Sequence, residues 1–193
     1  LAARVLADHH DRVVIVERDR LPMSPGDRRG VAQGRHIHAL AARGQQILES
    51  LFPSLTAELV AAGANSGDAL ECARFHVGPR RLHPTTTGLT LVSASRPLLE
   101  HHIRARVLAR PDAALLEGCD AVGLAADRSG GRVTGVLLGS RTGGGAEETL
   151  PADVVVDATG RSSRTPTWLA ALGFPSPRGD RVRVDVAYAS RRY

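Results

Sequence analysis

The sequence feature that most constrains the fold is a run of β-branched residues that ends abruptly in a small polar turn. Residues 154–156 are three valines, and Asp157, Thr159 and Gly160 follow within four positions. This pattern predicts that Asp153–Asp157 is a strand buried on both faces of a parallel sheet. In an open α/β sheet, ligands bind outside the carboxyl ends of the strands, where a glycine allows close approach of the backbone. We therefore expect a ligand-binding turn at this point of the chain.

A second apolar strand, Val13–Glu17, ends on a carboxylate and follows a helical pattern in residues 1–7. A helix followed by such a strand is typical of the second half of a βαβ unit. In dinucleotide-binding folds the acidic residue comes ~20 residues after a glycine-rich turn. Glu17 fits a turn immediately upstream of Leu1, so the chain is expected to begin inside a longer protein. Glu17 is either a ligand for the ribose diol, disfavouring a 2′-phosphate by like charge, or a solvated acid after a buried strand.

The rest of the chain alternates between helical and extended patterns, which predicts an α/β protein. Helices are predicted over residues 36–51, 54–62, 95–109 and 166–173, and extended segments over 70–77, 80–82, 89–92, 114–117, 119–126, 132–138 and 180–193. The glycine-containing stretch 127–131 predicts a hairpin. Residues 18–35 form a long loop rich in Pro, Gly and Arg, and such loops are often functional.

Composition excludes several classes of function. All 25 basic residues are arginine, the net charge is +5, and only 3% of residues are aromatic. Scattered arginines without stacking aromatics argue against nucleic-acid binding, and no apolar run approaches the ~18 residues of a membrane span. Cys72 and Cys119 lack a zinc spacing, and His36 and His38 lack a third ligand, so we expect no metal. Without a secretory signal or a disulfide pattern, the expected location is the cytoplasm.

Arginines supply further candidate ligand contacts. Arg96 follows Ser95, a good helix N-cap, and precedes Pro97, which suits a first helical turn. Its guanidinium could pair with a diphosphate through charge-assisted hydrogen bonds, or it could be a surface arginine. Arg28 and Arg29 leave the same two interpretations open. No nucleophile–base motif is present, so no catalytic residue is assigned.

Taken together, four stretches resemble the FAD-binding part of the para-hydroxybenzoate hydroxylase-like flavoprotein monooxygenases, which are related to flavin-dependent epoxidases and geranylgeranyl reductases. The stretches are Val13–Glu17 with Arg18, residues 28–36, residues 95–99 and residues 153–163. They occur in the family's order and cover nearly the whole chain.

The resemblance implies a Rossmann-like FAD-binding fold, with a mostly parallel sheet and an antiparallel meander, interrupted by strands of a substrate-domain sheet. Residues 1–69 and 93–175 would form the FAD-binding domain, and residues 70–92 and 176–193 part of the substrate domain. The residues implied to contact FAD are Glu17, Arg18, Arg29, Gln33, Arg96, Val122, Asp157, Thr159 and Gly160.

The implied activity is a monooxygenase that passes one oxygen atom from O₂ to an aromatic ring or alkene of a small organic substrate. The alternatives are a flavin-dependent reductase of polyene or isoprenoid double bonds, and a truncated FAD-binding module. The family's glycine-rich turn and first strand are expected upstream of Leu1, so these 193 residues alone are expected to be inactive. NAD(P)H is a candidate electron donor, but Thr159 stands where relatives often carry an acid linked to NADPH, which argues against its direct use.

Overall fold

The structure is a computed structural model that describes residues 1–28, 31–36, 38–140, 147–180, 182–187 and 189. The helices are α1 (Ala2–Leu6), α2 (Ala42–Leu51), α3 (Leu55–Ala61), α4 (Arg96–Leu108) and α5 (Thr165–Ala171). The strands are β1 (Val13–Glu17), β2 (Ala39–Leu40), β3 (Asn65–Asp68), β4 (His76–Val77), β5 (Arg80–Arg81), β6 (Thr90–Ser93), β7 (Ala113–Glu117), β8 (Cys119–Ala126), β9 (Val133–Ser140) and β10 (Glu148–Pro151). Two single 3₁₀ turns lie at Ala32–Arg35 and Gly160–Ser162.

Parallel and antiparallel sheets are both present, as the sequence predicted. β1 and β7 pair in parallel, in a register that places Glu17 beside Glu117 at the carboxyl ends of the two strands. β8, β9 and β10 form an antiparallel meander, β2, β6 and β3 a second antiparallel sheet, and β4 and β5 a short hairpin. The α/β class, with parallel and antiparallel sheets, is therefore confirmed. The division into FAD-binding and substrate domains stays a prediction.

The main core lies where α2, α3 and α4 pack against β6. Its buried side chains are Leu48, Phe52, Leu55, Leu59, Ala64, Val92 and Val107. Leu55 and Leu59 lie on one face of α3 because residues four apart stack along a helix. This core holds α4 in place, and α4 in turn contacts β7 and the 3₁₀ turn at Ala32–Arg35.

The predicted start of α4 is confirmed in detail. Ser95 is the N-cap residue, and its Oγ accepts a hydrogen bond of 3.3 Å from the Leu98 amide. Pro97 lies in the first turn, where its missing amide hydrogen leaves no intrahelical bond unmade. The β8–β9 hairpin is likewise confirmed, with the turn at residues 127–132.

The prediction that Asp153–Asp157 is a buried strand is wrong. The segment has no strand hydrogen-bonding pattern, and Val154, Val155 and Val156 are 53%, 37% and 50% exposed. A strand is defined by ladder bonds to a neighbour, and the parallel pair in the described residues consists of β1 and β7 only. A β-branched run gives the segment an extended preference, but it does not supply a partner.

Other boundaries also differ from the predictions. The extended segment predicted over residues 70–77 is a strand only at β4, and β3 and β10 were not predicted. Residues 182–187 are not a strand, and Val182, Val184 and Val186 are all exposed. The helix predicted from residue 36 begins at Ala42, because β2 is instead drawn into an antiparallel ladder with β6. Tyr188, the last member of the predicted alternation, lies outside the described residues.

Candidate functional site

An ion pair lies at the carboxyl end of β1. Glu17 Oε1 accepts a 3.0 Å hydrogen bond from the Asp19 amide, and Glu17 Oε2 accepts a 3.1 Å bond from Nη2 of Arg28. Both side chains of the pair are 24% exposed, so each is partly shielded from water. The predicted ribose-binding carboxylate is therefore held in place by the loop that follows its own strand.

Glu100 connects this pair to helix α4. Its Oε1 accepts a 2.6 Å hydrogen bond from Nε of Arg96, one helical turn earlier, and its Oε2 lies 3.9 Å from Nη1 of Arg28. Two carboxylates and two guanidinium groups thus alternate across the site, and their formal charges cancel. We call Glu17, Arg28, Arg96 and Glu100 the charge cluster.

Local sequence rules explain how the cluster is assembled. The Ser95 cap fixes the first turn of α4, which places Arg96 at the first helical position. Residues four apart in a helix are neighbours on its surface, so Glu100 reaches Arg96. Glu17 lies at the end of β1, and the long loop after β1 folds back and places Arg28 beside it.

The loop after β1 is anchored at two further points. The Leu21 amide donates a 2.7 Å hydrogen bond to Glu117 Oε1, at the end of the neighbouring strand. Arg104, on α4, donates to the Pro22 carbonyl. Beside these anchors is an open depression of ≈ 350 Å³. The residues that line it are Asp19, Arg20, Pro22, Asp27 and Arg28.

The second group of predicted residues forms the turn after the three valines. The Asp157 carboxylate accepts four hydrogen bonds, listed here with their lengths: from the Thr159 amide (2.8 Å), the Thr159 hydroxyl (2.6 Å), the Ser163 hydroxyl (2.6 Å) and the Thr165 hydroxyl (2.5 Å). Burial acts to raise the pKa of Asp157, but these donors outweigh it and hold the pKa well below its usual range. Gly160 has a φ of 71°, a left-handed conformation that favours glycine.

This geometry assigns Asp157 a role within the turn. Its acceptor positions are filled by three hydroxyls and one backbone amide of the same segment, and Thr159 directs both its amide and its hydroxyl to that one carboxylate.

The other predicted contacts are more dispersed. Arg18 is 59% exposed and its Nε lies 3.8 Å from the Asp19 carboxylate rather than from Glu17. Gln33 is exposed, on the 3₁₀ turn that packs against α4. Val122 is half-buried at a bulge in β8. Arg29 lies outside the described residues.

The donor set of the charge cluster fits an adenine dinucleotide. Each Glu17 oxygen accepts one hydrogen bond, and a carboxylate oxygen can accept two, so the carboxylate can still take a ribose diol. Arg28 Nε is shielded from solvent and has no partner within the described part of the chain. Its guanidinium is therefore only partly satisfied by the protein.

Sequence reasoning left Arg28 undecided and did not identify Glu100. The available signal for Glu100 was its i,i+4 spacing from Arg96 on a predicted helix. No comparable signal joined Arg28 to Glu17, because a loop of ten residues can fold in many ways.

Two negative findings concern the described residues only. None of their histidine, cysteine and acidic side chains gather in threes in a way that could hold a metal ion. None of their helices has the length and apolar character needed to cross a bilayer.

Comparison with known proteins gives a relative in sequence and a similar solved structure. No model of a known protein family matches the chain. Protein Rv3254 of Mycobacterium tuberculosis is 40% identical over 200 residues, an alignment that covers all of this chain and 42% of that protein. The crystal structure of THI4 from Thermovibrio ammonificans superposes with a TM-score of 0.57 at 19% identity, covering 90% of this chain and 58% of THI4. The chain thus spans less than half of its sequence relative. The structural likeness confirms the Rossmann-like fold.

Proposed function

We propose that this chain forms the FAD-binding part of a flavin-dependent oxidoreductase. The observation that carries the proposal is the acid-ended strand β1, paired in parallel with β7 in a Rossmann-like fold, with Arg28 and Arg96 gathered near its carboxyl end. In such folds the acid that binds the adenosine ribose lies at the end of the strand that follows the first helix, which is the position of Glu17 at the end of β1. The proposal therefore places the adenosine half of FAD at Glu17.

Each member of the charge cluster has a task in this proposal. Glu17 accepts hydrogen bonds from the ribose hydroxyls, and its bond from the Asp19 amide keeps one oxygen in position. Arg96 faces the diphosphate with the terminal nitrogens of its guanidinium, because its Nε is engaged by Glu100. The backbone around Gly160 approaches the flavin side, where a side chain would be in the way. Bound FAD would supply the redox chemistry itself.

Within this class we infer a monooxygenase that acts on a small organic molecule with O₂ as co-substrate. The inference is supported by the resemblance of the four stretches of sequence, and the electron donor is inferred to be NAD(P)H acting directly or through a reductase. Thr159 stands where relatives of the resembled family often carry an acid linked to NADPH, and its amide and hydroxyl both donate to Asp157. Of the two routes, the one through a reductase is therefore favoured over direct use of NADPH.

The first test is whether the full-length gene product that contains this chain binds FAD. We expect a yellow protein with one FAD per chain. Replacing Glu17 with glutamine should raise the Kd for FAD by about tenfold, since a charge-assisted hydrogen bond contributes about 1.5–3 kcal/mol when buried and less when partly exposed. The matched control is Asp11→Asn, which removes an exposed carboxylate at the opposite end of β1.

The second test separates the oxygenase from the reductase. Candidate substrates are incubated with the reduced protein under isotope-labelled O₂, and the products are analysed by mass spectrometry. Incorporation of one labelled atom supports the monooxygenase. A product that gains two hydrogens and no labelled oxygen contradicts it and supports the reductase, and a colourless protein that binds no FAD contradicts the whole proposal.

A further inference from the structure

We propose that Arg28 allows the adenosine site to accept a phosphate on the 2′-oxygen of the ribose. The site then takes adenosine 2′-phosphates as well as adenosine with a free 2′-hydroxyl. The inference rests on the proposed function, because it assumes that Glu17 faces the ribose. It concerns a property that the acid alone does not predict, since a carboxylate by itself repels a 2′-phosphate.

The first step is the contact between the two charges. Nη2 of Arg28 lies 3.1 Å from Oε2 of Glu17, and both side chains are partly shielded from water. A ligand group that approaches this carboxylate oxygen therefore approaches a guanidinium at nearly the same distance. The ribose end presents a neutral pair instead of a single negative charge.

The second step is the unused donor capacity of Arg28. Its Nη1 lies 3.9 Å from Glu100 Oε2, which is too long for a hydrogen bond. Its Nε is shielded and has no partner among the described residues. Because Nε is shielded, the phosphate oxygen would be bound by Nη1, while Nη2 keeps its hydrogen bond to Glu17.

The third step is space. The depression of ≈ 350 Å³ is bounded by Arg28 and also by Arg20, a second cation. A phosphate monoester on the ribose 2′-oxygen, directed away from Glu17, enters this depression between the two arginines. Asp19 and Asp27 also border the depression, so acidic and basic side chains both contribute to its electrostatic potential. The position of Arg28 beside Glu17 therefore decides whether the site prefers a phosphate or a free hydroxyl.

The expected size of the effect of Arg28 comes from the general strength of the interaction between two neighbouring charges. An opposite charge within about 4–6 Å changes the stability of an ionised group by about tenfold to a thousandfold. At a quarter-exposed position we take the lower end, about tenfold, because solvent screens the interaction. Replacing Arg28 with a neutral residue should therefore change the ratio of the Kd values for the two nucleotides by about tenfold.

The experiment uses the full-length, flavin-free protein and two nucleotides that differ by a single group, adenosine 5′-monophosphate and adenosine 2′,5′-bisphosphate. Titration calorimetry at one fixed ionic strength gives a Kd for each and hence a ratio. We expect the wild-type ratio to lie within about tenfold of unity. Arg28→Met should shift the Kd ratio at least about tenfold against the bisphosphate. Arg28→Lys keeps the positive charge and should restore the wild-type ratio. Glu17→Gln removes a negative charge and should shift the ratio towards the bisphosphate. Arg12→Met, an equal loss of charge at the far end of β1, should leave the ratio unchanged.

The outcomes separate this inference from the function on which it rests. A wild-type protein that binds the monophosphate but excludes the bisphosphate by more than about a hundredfold overturns the role of Arg28 and leaves the FAD proposal standing. An unchanged ratio in Arg28→Met does the same. If that variant does not fold, an unchanged ratio in Glu17→Gln overturns the inference. A wild-type protein that binds neither nucleotide nor FAD overturns both.

Discussion

Replacing Asp157 with alanine removes the acceptor of four hydrogen bonds in the turn after the three valines. The carboxylate accepts three hydroxyl donors and one amide, all from residues within eight positions. A hydrogen bond to a buried charge contributes about 1.5–3 kcal/mol, but these groups are exposed and the released donors can bond to water. The four bonds together should therefore stabilise the turn by about 1–2 kcal/mol, which corresponds to about a 5–30-fold change in the local opening equilibrium.

Hydrogen exchange measures this local equilibrium directly, because an exposed turn can open without global unfolding. The informative amides are those of Thr159, which donates to Asp157, and Ser163, which donates to the Gly160 carbonyl at 3.1 Å. In Asp157→Ala both should exchange about 5–30 times faster than in the wild type. Amides in the β8–β9 ladder should be unaffected, and Asp153→Ala, an exposed acid four residues earlier, serves as the matched control.

The sign of the pH dependence gives a second check on the same residue. The donors lower the pKa of Asp157, so its stabilising effect is complete above the pKa of about 3.9 in the unfolded chain. The effect is lost as the pH falls from there through the lower folded value. Equal exchange rates in wild type and Asp157→Ala at neutral pH would refute the reasoning, because the turn would then be held by its backbone alone.

Three further predictions concern the frame around the site. Leu59→Ala should lower the free energy of unfolding by about 3–5 kcal/mol in urea titrations, because Leu59 is 1% exposed, whereas Val60→Ala, at 42% exposure, should change it by less than about 0.5 kcal/mol. Ser95→Ala should cost about 1 kcal/mol by the same measurement, since it removes the cap of α4, and a loss below about 0.3 kcal/mol would contradict that role. Although burial acts to raise it, hydrogen bonds from three amides and one hydroxyl lower the pKa of Asp68 to about 2. The stability advantage of wild type over Asp68→Asn should therefore be present above about pH 3.9 and disappear towards pH 2, and a constant difference in Tm across that range would show that the carboxylate is not held this way.

Predictions from the sequence succeeded where the determining interactions were local. Ser95, Arg96 and Pro97 define a helix start within three residues, and the hairpin after β8 is specified by its own turn. Val13–Glu17 was identified because a continuous apolar run of five residues with an acid at its end has few other structural solutions.

The predictions failed where the outcome depends on a distant partner. The valines at 154–156 satisfy every local criterion for a strand, yet they are exposed because no ladder partner pairs with them in the described structure. Ala39 and Leu40 fit a helical pattern but pair with β6, some fifty residues later. Local propensity is a weak preference, and long-range pairing overrides it.

The charge cluster shows the same limit at the level of the site. Glu17 and Arg96 could be proposed individually from the strand and helix that carry them. Their connection through Arg28 and Glu100 depends on the path of a loop, which composition does not specify. The path of the loop therefore decides whether the end of β1 presents a lone negative charge or a neutral ion pair.

The register between β1 and β7 also sets an order of events during synthesis. The two strands pair residue for residue across about 100 positions of chain, from Val13 with Ala113 to Glu17 with Glu117. At about 5–20 residues per second, β1 waits on the ribosome for at least several seconds before its neighbour is made. During that time the edge of β1 that later binds β7 is open to wrong partners, and the loop that carries Arg28 has no Glu117 on which to anchor. The loop that completes the charge cluster thus gains its anchor only after Glu117 has been made, later than the α2–α3 core. Translation speed and chaperone access should therefore affect the yield of the cluster more than they affect that core.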